Sequence, residues 1–394
     1  MKKFISILGS TGSIGSSTFQ IINKKRKFFT INLLSANKNY NLICNQIRRY
    51  KPKFFVITDQ KIFNKIRKKF KNHKVKIINN FNDVSIKKKS DITISAIPGI
   101  SGLLPTISMI KFSKKLLIAN KEAIICGWKI IKKNSKKYKT NIIPIDSEHF
   151  SILKLLEHHT LDEIEKIYIT ASGGPFLKYN LKQIKDIKPE IALKHPKWKM
   201  GKKISIDSAT LMNKILEYIE AQKLFNIPKE KLEILIHPES LVHAVVKFKN
   251  GLSKFIYHET SMIIPIANAI FDSKLKIENF YKKSSPNISI KNLTFLKPDD
   301  KIFPILRLKN RSNEYPSTSI IINASNEILV DHFLLKKIPF RAISEIIMII
   351  LNSANYKKYA IKKPININQI INIDNWARRK TKNLIHLKYE KNFF

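Results

Sequence analysis

The chain has 394 residues, 43% of them apolar, a length of roughly two to three ordinary domains that can bury several cores without covalent staples. Its two cysteines, Cys44 and Cys126, lie far apart and fit no ligand spacing, which excludes a disulfide scaffold and points to a reducing, cytoplasmic setting. The net charge of +44 fits a binder of phosphate backbones, but lysine is scattered among Ile, Asn and Phe, clusters such as 65–71 and 87–89 read as solvated faces, and no zinc, helix-turn-helix or aromatic-basic motif accompanies it, so a nucleic-acid partner is not expected.

Met1-Lys2-Lys3 is basic, but the apolar run Phe4 to Leu8 is too short for a signal-peptide core and leads into a glycine loop, so it reads as a first strand. Nowhere does the sequence approach the roughly 18 to 20 uncharged apolar residues that span a bilayer, and no membrane partner is expected. Over 1–145, short β-branched runs alternate with amphipathic stretches. Strands are expected at Phe4 to Leu8, Phe29 to Ser35, Phe54 to Thr58, Ile92 to Ala96, Lys115 to Ala119 and Asn141 to Ile145, which makes an α/β, Rossmann-like, doubly wound parallel sheet. The texture changes over 146–272. There a loop rich in Gly and Pro (173–201), a helix after Ser208, and strands near Glu233 to Ile236, Leu241 to Phe248 and Ser253 to Tyr257 predict a partly antiparallel α+β domain. Residues 273–303, with Ser284-Ser285-Pro286 and Lys297-Pro298-Asp299-Asp300, read as a connector, and 304–394 as a C-terminal helical domain.

Three constellations carry chemistry. Gly9-Ser10-Thr11-Gly12-Ser13-Ile14-Gly15 joins the first strand to a helix, where glycines let a pyrophosphate approach the helix N-terminus. Beyond the second strand, roughly 20 residues on, enzymes that use NAD place an acidic residue on the ribose. Here Asn37-Lys38-Asn39 offers a cation and two amides, which favours a 2′-phosphate and so NADPH. The last strand of the sheet runs into Asp146-Ser147-Glu148-His149. If the extension continues, both carboxylates point to one side and suit Mg²⁺ or Mn²⁺; if it does not, Asp146 or Ser147 caps a helix. Finally, 205–217 reads as a capped helix start with Asn213 and Glu217 on one face. It is either a phosphate site (Ser208, Asn213, Lys214) with a third carboxylate, or an amphipathic helix bearing an ordinary Lys214–Glu217 surface pair. Between these lies a loop with Gly173, Gly174 and an aromatic tip, the makings of a lid. His195, His237 and His243, taken singly, read as structural.

Taken together, these strings resemble the 1-deoxy-D-xylulose-5-phosphate reductoisomerase family over nearly the whole chain. They occur in the family's order: 9–15, Ala119-Asn120-Lys121-Glu122, 146–149, Ser172 to Phe176, His195 to Gly201, Lys203 to Glu217, Ile236 to His243 and Asn323 to Glu327. The resemblance implies nucleotide contacts at Thr11, Gly12, Ser13, Ile14, Asn37, Lys38, Asn39, Asn120, Glu122 and Gly201. It implies one divalent ion per subunit on Asp146, Glu148 and Glu217. A sugar phosphate would be held by Lys121, Ser147, Glu148, Ser172, His195, Ser208, Asn213, Lys214 and Glu217 under Trp198, and the chain would form a homodimer through the domain at 146–272. Lys121 beside the ion would stabilise charge or relay protons. Two departures stand out: Asn37 where many members have glycine, and Ser261-Met262-Ile263-Ile264 where Asp and Arg are usual.

Overall fold

The computed structural model describes residues 2–184, 187–198, 200–281 and 293–390. By its contacts the chain separates into two compact units, the first formed by 2–123, 129–150 and 261–281, the second by 124–128, 151–260 and 293–390.

The first unit is built on seven parallel strands, β1 (Lys3–Leu8), β2 (Phe29–Ala36), β3 (Phe54–Ile57), β4 (Lys76–Ile78), β5 (Ser90–Ser95), β6 (Ser113–Ile118) and β7 (Asn141–Pro144), in the order β4-β3-β2-β1-β5-β6-β7. Ile5, Ile7 and Leu8 of β1 and Leu33 and Leu34 of β2 are fully buried, as a parallel sheet covered on both faces requires. The hydroxyls carried into this core pair with one another: Ser6 Oγ lies 2.7 Å from Ser90 Oγ, and Thr93 Oγ1 2.6 Å from Ser113 Oγ. Helices α1 (Ser13–Lys24), α2 (Tyr40–Tyr50), α3 (Gln60–Lys69), α4 (Leu103–Ile110), α5 (Lys121–Tyr138) and α6 (Ser147–Leu155) alternate with these strands.

The second unit holds a four-stranded mixed sheet of β8 (Ile164–Ala171), β9 (Leu232–Ile236), β10 (Val242–Phe248) and β11 (Ser253–Tyr257), ordered β11-β10-β8-β9. Only β8 and β9 run parallel. Helices α7 (Pro189–Ala192), α8 (Lys202–Ala209) and α9 (Met212–Phe225) lie between β8 and β9 in sequence. After α10 (Ile263–Phe271), the chain ends in α11 (Thr318–Leu334), α12 (Ala342–Leu351), α13 (Tyr356–Ala360) and α14 (Ile367–Ile385). Helix α11 is buried on most of its surface, with Ile320, Ile321, Ile322, Leu329 and Val330 inside and the polar Asn323, Ser325 and Asn326 buried beside them. Arg378 on α14 ties the bundle together through Asp374 and Glu327, and that double pairing raises its pKa above the ordinary guanidinium value against the opposing effect of burial. Among the described residues no helix is long and apolar enough to cross a membrane.

Several expectations change here. The sequence reading left out β4, a three-residue strand at the sheet edge, and β8, whose Glu165 and Lys166 interrupt its apolar run. It also ran one domain over 146–272, whereas residues 261–281 cluster with the nucleotide-loop unit. The cause is the apolar face of α10. Ile266, Ala267 and Ile270 are fully buried in the same core as Phe19 and Phe29, and Phe271 stands edge-on to Phe29 at 6.1 Å. The departure at 261–264 leads into this helix, where Met262 and Ile263 pack on that core. Nor is the expected connector at 273–303 free at its far end. Leu296 exchanges both backbone hydrogen bonds with Ile236 at 2.8 and 2.9 Å, while Ser284-Ser285-Pro286 lies outside the described residues.

Ile94, fully buried in β5 at the middle of the larger sheet, tests this packing. Ile94→Ala should cost about 2–5 kcal/mol in denaturant unfolding, whereas a loss below roughly 1 kcal/mol would mean that this face of the strand is not packed as described.

Candidate active site

Strand order reverses around β1, whose neighbours are β2 and β5, and it is beyond the C-terminal ends of strands at such a point that α/β sheets bind ligands. The glycine loop leaves β1 there. Gly9 has φ +78°, and a Cβ on it would stand 2.7 Å from Ala96 O. Gly12 occupies the N-cap of α1 without any side-chain cap, so the first-turn N–H groups stay available to an anion. Gly9 N donates to Ser35 Oγ at 3.0 Å. Ser10 and Gln46 clasp each other, the hydroxyl donating to Gln46 Oε1 at 2.6 Å and Gln46 Nε2 to Ser10 O at 3.0 Å. Thr11 and Ile14 are half-buried, and Gly12 and Ser13 exposed. Past β2, Asn37 and Lys38 are exposed while Asn39 caps α2, accepting from Leu42 N at 3.2 Å. Asn37 has no positive φ, so the glycine common at that position is not needed for this turn.

Strands β6 and β7 bring the next group together, because Ile118 pairs with Pro144 and the loops after them lie side by side. Asn120 caps α5, accepting from Ala123 N at 2.7 Å, and its amide donates to Gly99 O at 3.0 Å and to Ile97 O. Lys121 and Glu122 are buried, and Lys121 Nζ stands 2.7 Å from Asp146 Oδ2. The extended course entertained for 146–148 is not what forms. Ser147 N donates to Asp146 Oδ1 at 2.9 Å, Phe150 N to Asp146 O at 2.8 Å, and α6 begins, so Glu148 sits in the first helical turn, where Ser147 Oγ donates to it at 2.6 Å. Backbone capping outcompetes strand extension once the ladder to β6 ends at Pro144.

In the second unit, Ser172 follows β8 and its Oγ lies 2.9 Å from His195 Nε2. His195 Nδ1 accepts from the N–H groups of Trp198 at 2.8 Å and Lys197 at 3.1 Å, which leaves the proton on Nε2, pointed at the serine. Burial pushes the His195 pKa down to about 4. The two glycines expected to act as hinges have a packing reason as well: both have positive φ, and a Cβ on Gly174 would stand 2.8 Å from Ser208 O. Phe176 is fully buried against Tyr179 and Phe340, anchoring the loop, whereas Trp198 is half-buried and edge-on to His243. Lys199 lies outside the described residues.

Instead of one capped helix over 205–217 there are two. They are broken at Leu211, which is left-handed at φ +61° and held by Thr210, whose Oγ1 donates to Ile206 O and accepts from Met212 N. The Lys214–Glu217 pair is no surface pair. Their side chains are only 5% and 1% exposed, with Nζ 2.5 Å from Oε2, and Asn213 Nδ2 donates to the other carboxylate oxygen at 2.5 Å. Ser208 is half-buried, and Gly201, at the N-cap of α8, is exposed. Carboxylate oxygens are the donors that hard divalent cations take, and the residue types at 146, 148 and 217 fit such an ion. The glycine cradle fits a dinucleotide phosphate.

Profiles described as 1-deoxy-D-xylulose 5-phosphate reductoisomerase, its C-terminal domain and the DXP reductoisomerase C-terminal domain match residues 5–127, 142–225 and 258–380 respectively. The 1-deoxy-D-xylulose 5-phosphate reductoisomerase of Pelagibacter ubique (strain HTCC1062) is 48% identical over 388 residues, which cover 96% of this chain and 98% of that one. The chain belongs to the 1-deoxy-D-xylulose 5-phosphate reductoisomerase family. The solved reductoisomerase of Zymomonas mobilis in complex with NADPH superposes with a TM-score of 0.87 at 32% identity, covering 98% of this chain and 99% of that one. A DOX-P reductoisomerase in complex with NADPH, fosmidomycin and magnesium gives 0.89 at 29% identity, with 98% of each chain covered.

Within this reductoisomerase fold, two supports escaped the sequence reading. Gln46, clasping the glycine loop, was signalled only by a polar residue on the apolar face of α2 between Ile43 and Ile47. Asp207, almost fully buried, is held by Asn326 Nδ2 at 2.7 Å and Lys203 Nζ at 3.0 Å, which fixes α8 beside Ser208.

His195 gives a direct test. Its folded pKa lies below the free value of 6.5, so the stability it contributes is present above 6.5 and is lost as pH falls toward about 4. In an NMR titration its ring should stay neutral at neutral pH and protonate near about 4. A midpoint at the ordinary imidazole value would contradict the desolvation of this half-buried ring.

Proposed function

We propose that the protein rearranges 1-deoxy-D-xylulose 5-phosphate and reduces the product with NADPH to 2-C-methyl-D-erythritol 4-phosphate, an early step of isoprenoid synthesis that depends on Mg²⁺ or Mn²⁺. Family membership supports this reading, as do the relatives whose structures carry NADPH, fosmidomycin and magnesium. The observation that carries it is the cluster at the ends of β6 and β7, where Lys121 meets Asp146 beside Ser147 and Glu148.

Asp146, Glu148 and Glu217 are the proposed ligands of one divalent ion per subunit. When bound, that ion supplies charge stabilisation at neighbouring substrate oxygens, and NADPH supplies the hydride. Lys121 holds Asp146 in place and offers its ammonium protons to a substrate oxygen as charge develops there. Ser147, Ser172, Ser208, Asn213 and Lys214 donate to substrate hydroxyl and phosphate oxygens. Neutral His195, bonded to Ser172 through Nε2, orients that hydroxyl. Trp198 closes over the substrate and excludes water, with remote phosphate binding offsetting the cost of ordering the lid. On the nucleotide, Thr11, Gly12, Ser13 and Ile14 would take the pyrophosphate and Asn37, Lys38 and Asn39 the 2′-phosphate, and Asn120, Glu122 and Gly201 would make its further contacts. The same reading makes the protein a cytoplasmic homodimer.

Two substitutions separate the parts. Glu217→Gln keeps the shape and the Lys214 acceptor but removes the charge. Turnover should fall by more than the roughly 10- to 100-fold that losing an outer partner costs, with NADPH affinity kept. Unchanged turnover at saturating Mg²⁺ would remove Glu217 from the ligand set. Lys38→Ala should weaken NADPH roughly tenfold, the size of one charge-assisted hydrogen bond, and leave NADH nearly untouched. Equal weakening of both would mean that Lys38 does not read the 2′-phosphate.

A further inference from the structure

Trp198 does not pack on an ordinary core residue. The ring it meets edge-on, at 6.2 Å and 74°, is that of His243, and His243 is itself stacked face to face on His258 with ring centroids 3.9 Å apart and 16° between planes. The sheet builds this pair. Between Val242, opposite Tyr257, and Val245, opposite Phe255, β10 carries one more residue than β11, a bulge that takes in His243 and Ala244. Such bulges re-aim side chains. One residue past β11, His258 N donates to Leu241 O at 2.9 Å, which prolongs the pairing just far enough to bring the His258 ring beneath His243.

Local hydrogen bonds fix the lower ring. His258 Nδ1 lies 2.8 Å from Glu259 O, a carbonyl that can only accept, so Nδ1 carries the proton. The His258 carbonyl in turn lies 3.3 Å from His243 Nε2. The His243 ring is buried and that of His258 half-buried, and the desolvation of His258 holds it below the ordinary imidazole pKa, so it stays uncharged at neutral pH and offers a flat, neutral face. The chain segment carrying Trp198 is therefore gripped twice. Its backbone bonds to His195 Nδ1, and its indole rests on a two-histidine stack rooted in the sheet.

We propose that His258 is a positioning residue for the reaction: its ring fixes the plane of His243 and, through it, the seat of Trp198 on the lid. This rests on the reading that Trp198 covers the substrate. The role asks for an aromatic face at 258, not for an imidazole proton or a charge.

The test uses the full chain with Trp128→Phe and Trp376→Phe, which leave Trp198 as the sole tryptophan. His258→Leu fills the same space without a ring face, and His258→Phe restores the face without the imidazole. For His258→Leu, acrylamide quenching of Trp198 should rise and KM for 1-deoxy-D-xylulose 5-phosphate should increase about two- to tenfold, the scale of one aromatic pair, with kcat, NADPH affinity and the unfolding midpoint kept. His258→Phe should return both quenching and KM to the parent values. Parent-like quenching and KM in His258→Leu would overturn the proposal, as would a His258→Phe protein no better than His258→Leu. Trp198→Ala separates the two layers. If it leaves KM unchanged, the lid reading falls, while the quenching series still decides whether His258 seats Trp198.

Discussion

A carboxylate taken out of water has to meet a cation, and this requirement organises the proposed catalytic machinery. Asp146 meets Lys121 at 2.7 Å, and Glu217 meets Lys214 at 2.5 Å with Asn213 on its second oxygen. Each pairing dictates local structure. The first needs the C-terminal ends of β6 and β7 side by side, which the parallel register Ile118 to Pro144 provides. The second needs the lysine one helical turn before the acid on α9, and the left-handed turn at Leu211 starts that helix afresh. Removing one partner of such a pair leaves a buried charge uncompensated, at a cost of about 3–5 kcal/mol, so these lysines are as much part of the fold as of the chemistry.

The same constraint explains what was legible in the sequence. Strands such as β1 and β2 could be read because parallel strands covered on both faces become continuous apolar runs. The glycine loop could be read because Gly9 must adopt positive φ against Ala96. Burial of Lys214 and Glu217 could not be read, since a Lys and a Glu three residues apart look identical on a surface helix and inside a core. The turn at Leu211 carries no glycine to announce it. For Asp146 to Glu148, spacing left strand and helix open, and the helix forms with Ser147 N bonded to the Asp146 side chain and Phe150 N to its carbonyl. The placement of 261–281 beside the nucleotide loop depends on contacts far apart in sequence, which no local pattern encodes. The order of short motifs along the chain identified the family where spacing alone left the site undecided.

The charge of +44 finds part of its accommodation in local packing. Lys53 and Lys88 both place their ammonium groups 4.7 Å from the centre of the Phe4 ring, and Lys69 stands 5.2 Å from that of Tyr40. These ammonium groups sit over the negative faces of half-buried rings, so part of the lysine charge is met by aromatic side chains where acids are scarce. The acids that remain inside can then be few and specific.

The central claim is that these paired acids serve a metal-dependent rearrangement coupled to reduction. The most direct measurement follows NADPH oxidation by the purified protein with 1-deoxy-D-xylulose 5-phosphate, after chelation and again after adding back Mg²⁺ or Mn²⁺, with the product identified. The account predicts oxidation only when substrate and metal are both present, and 2-C-methyl-D-erythritol 4-phosphate as the product. Oxidation that survives chelation, or a product with its carbon skeleton unrearranged, would contradict it.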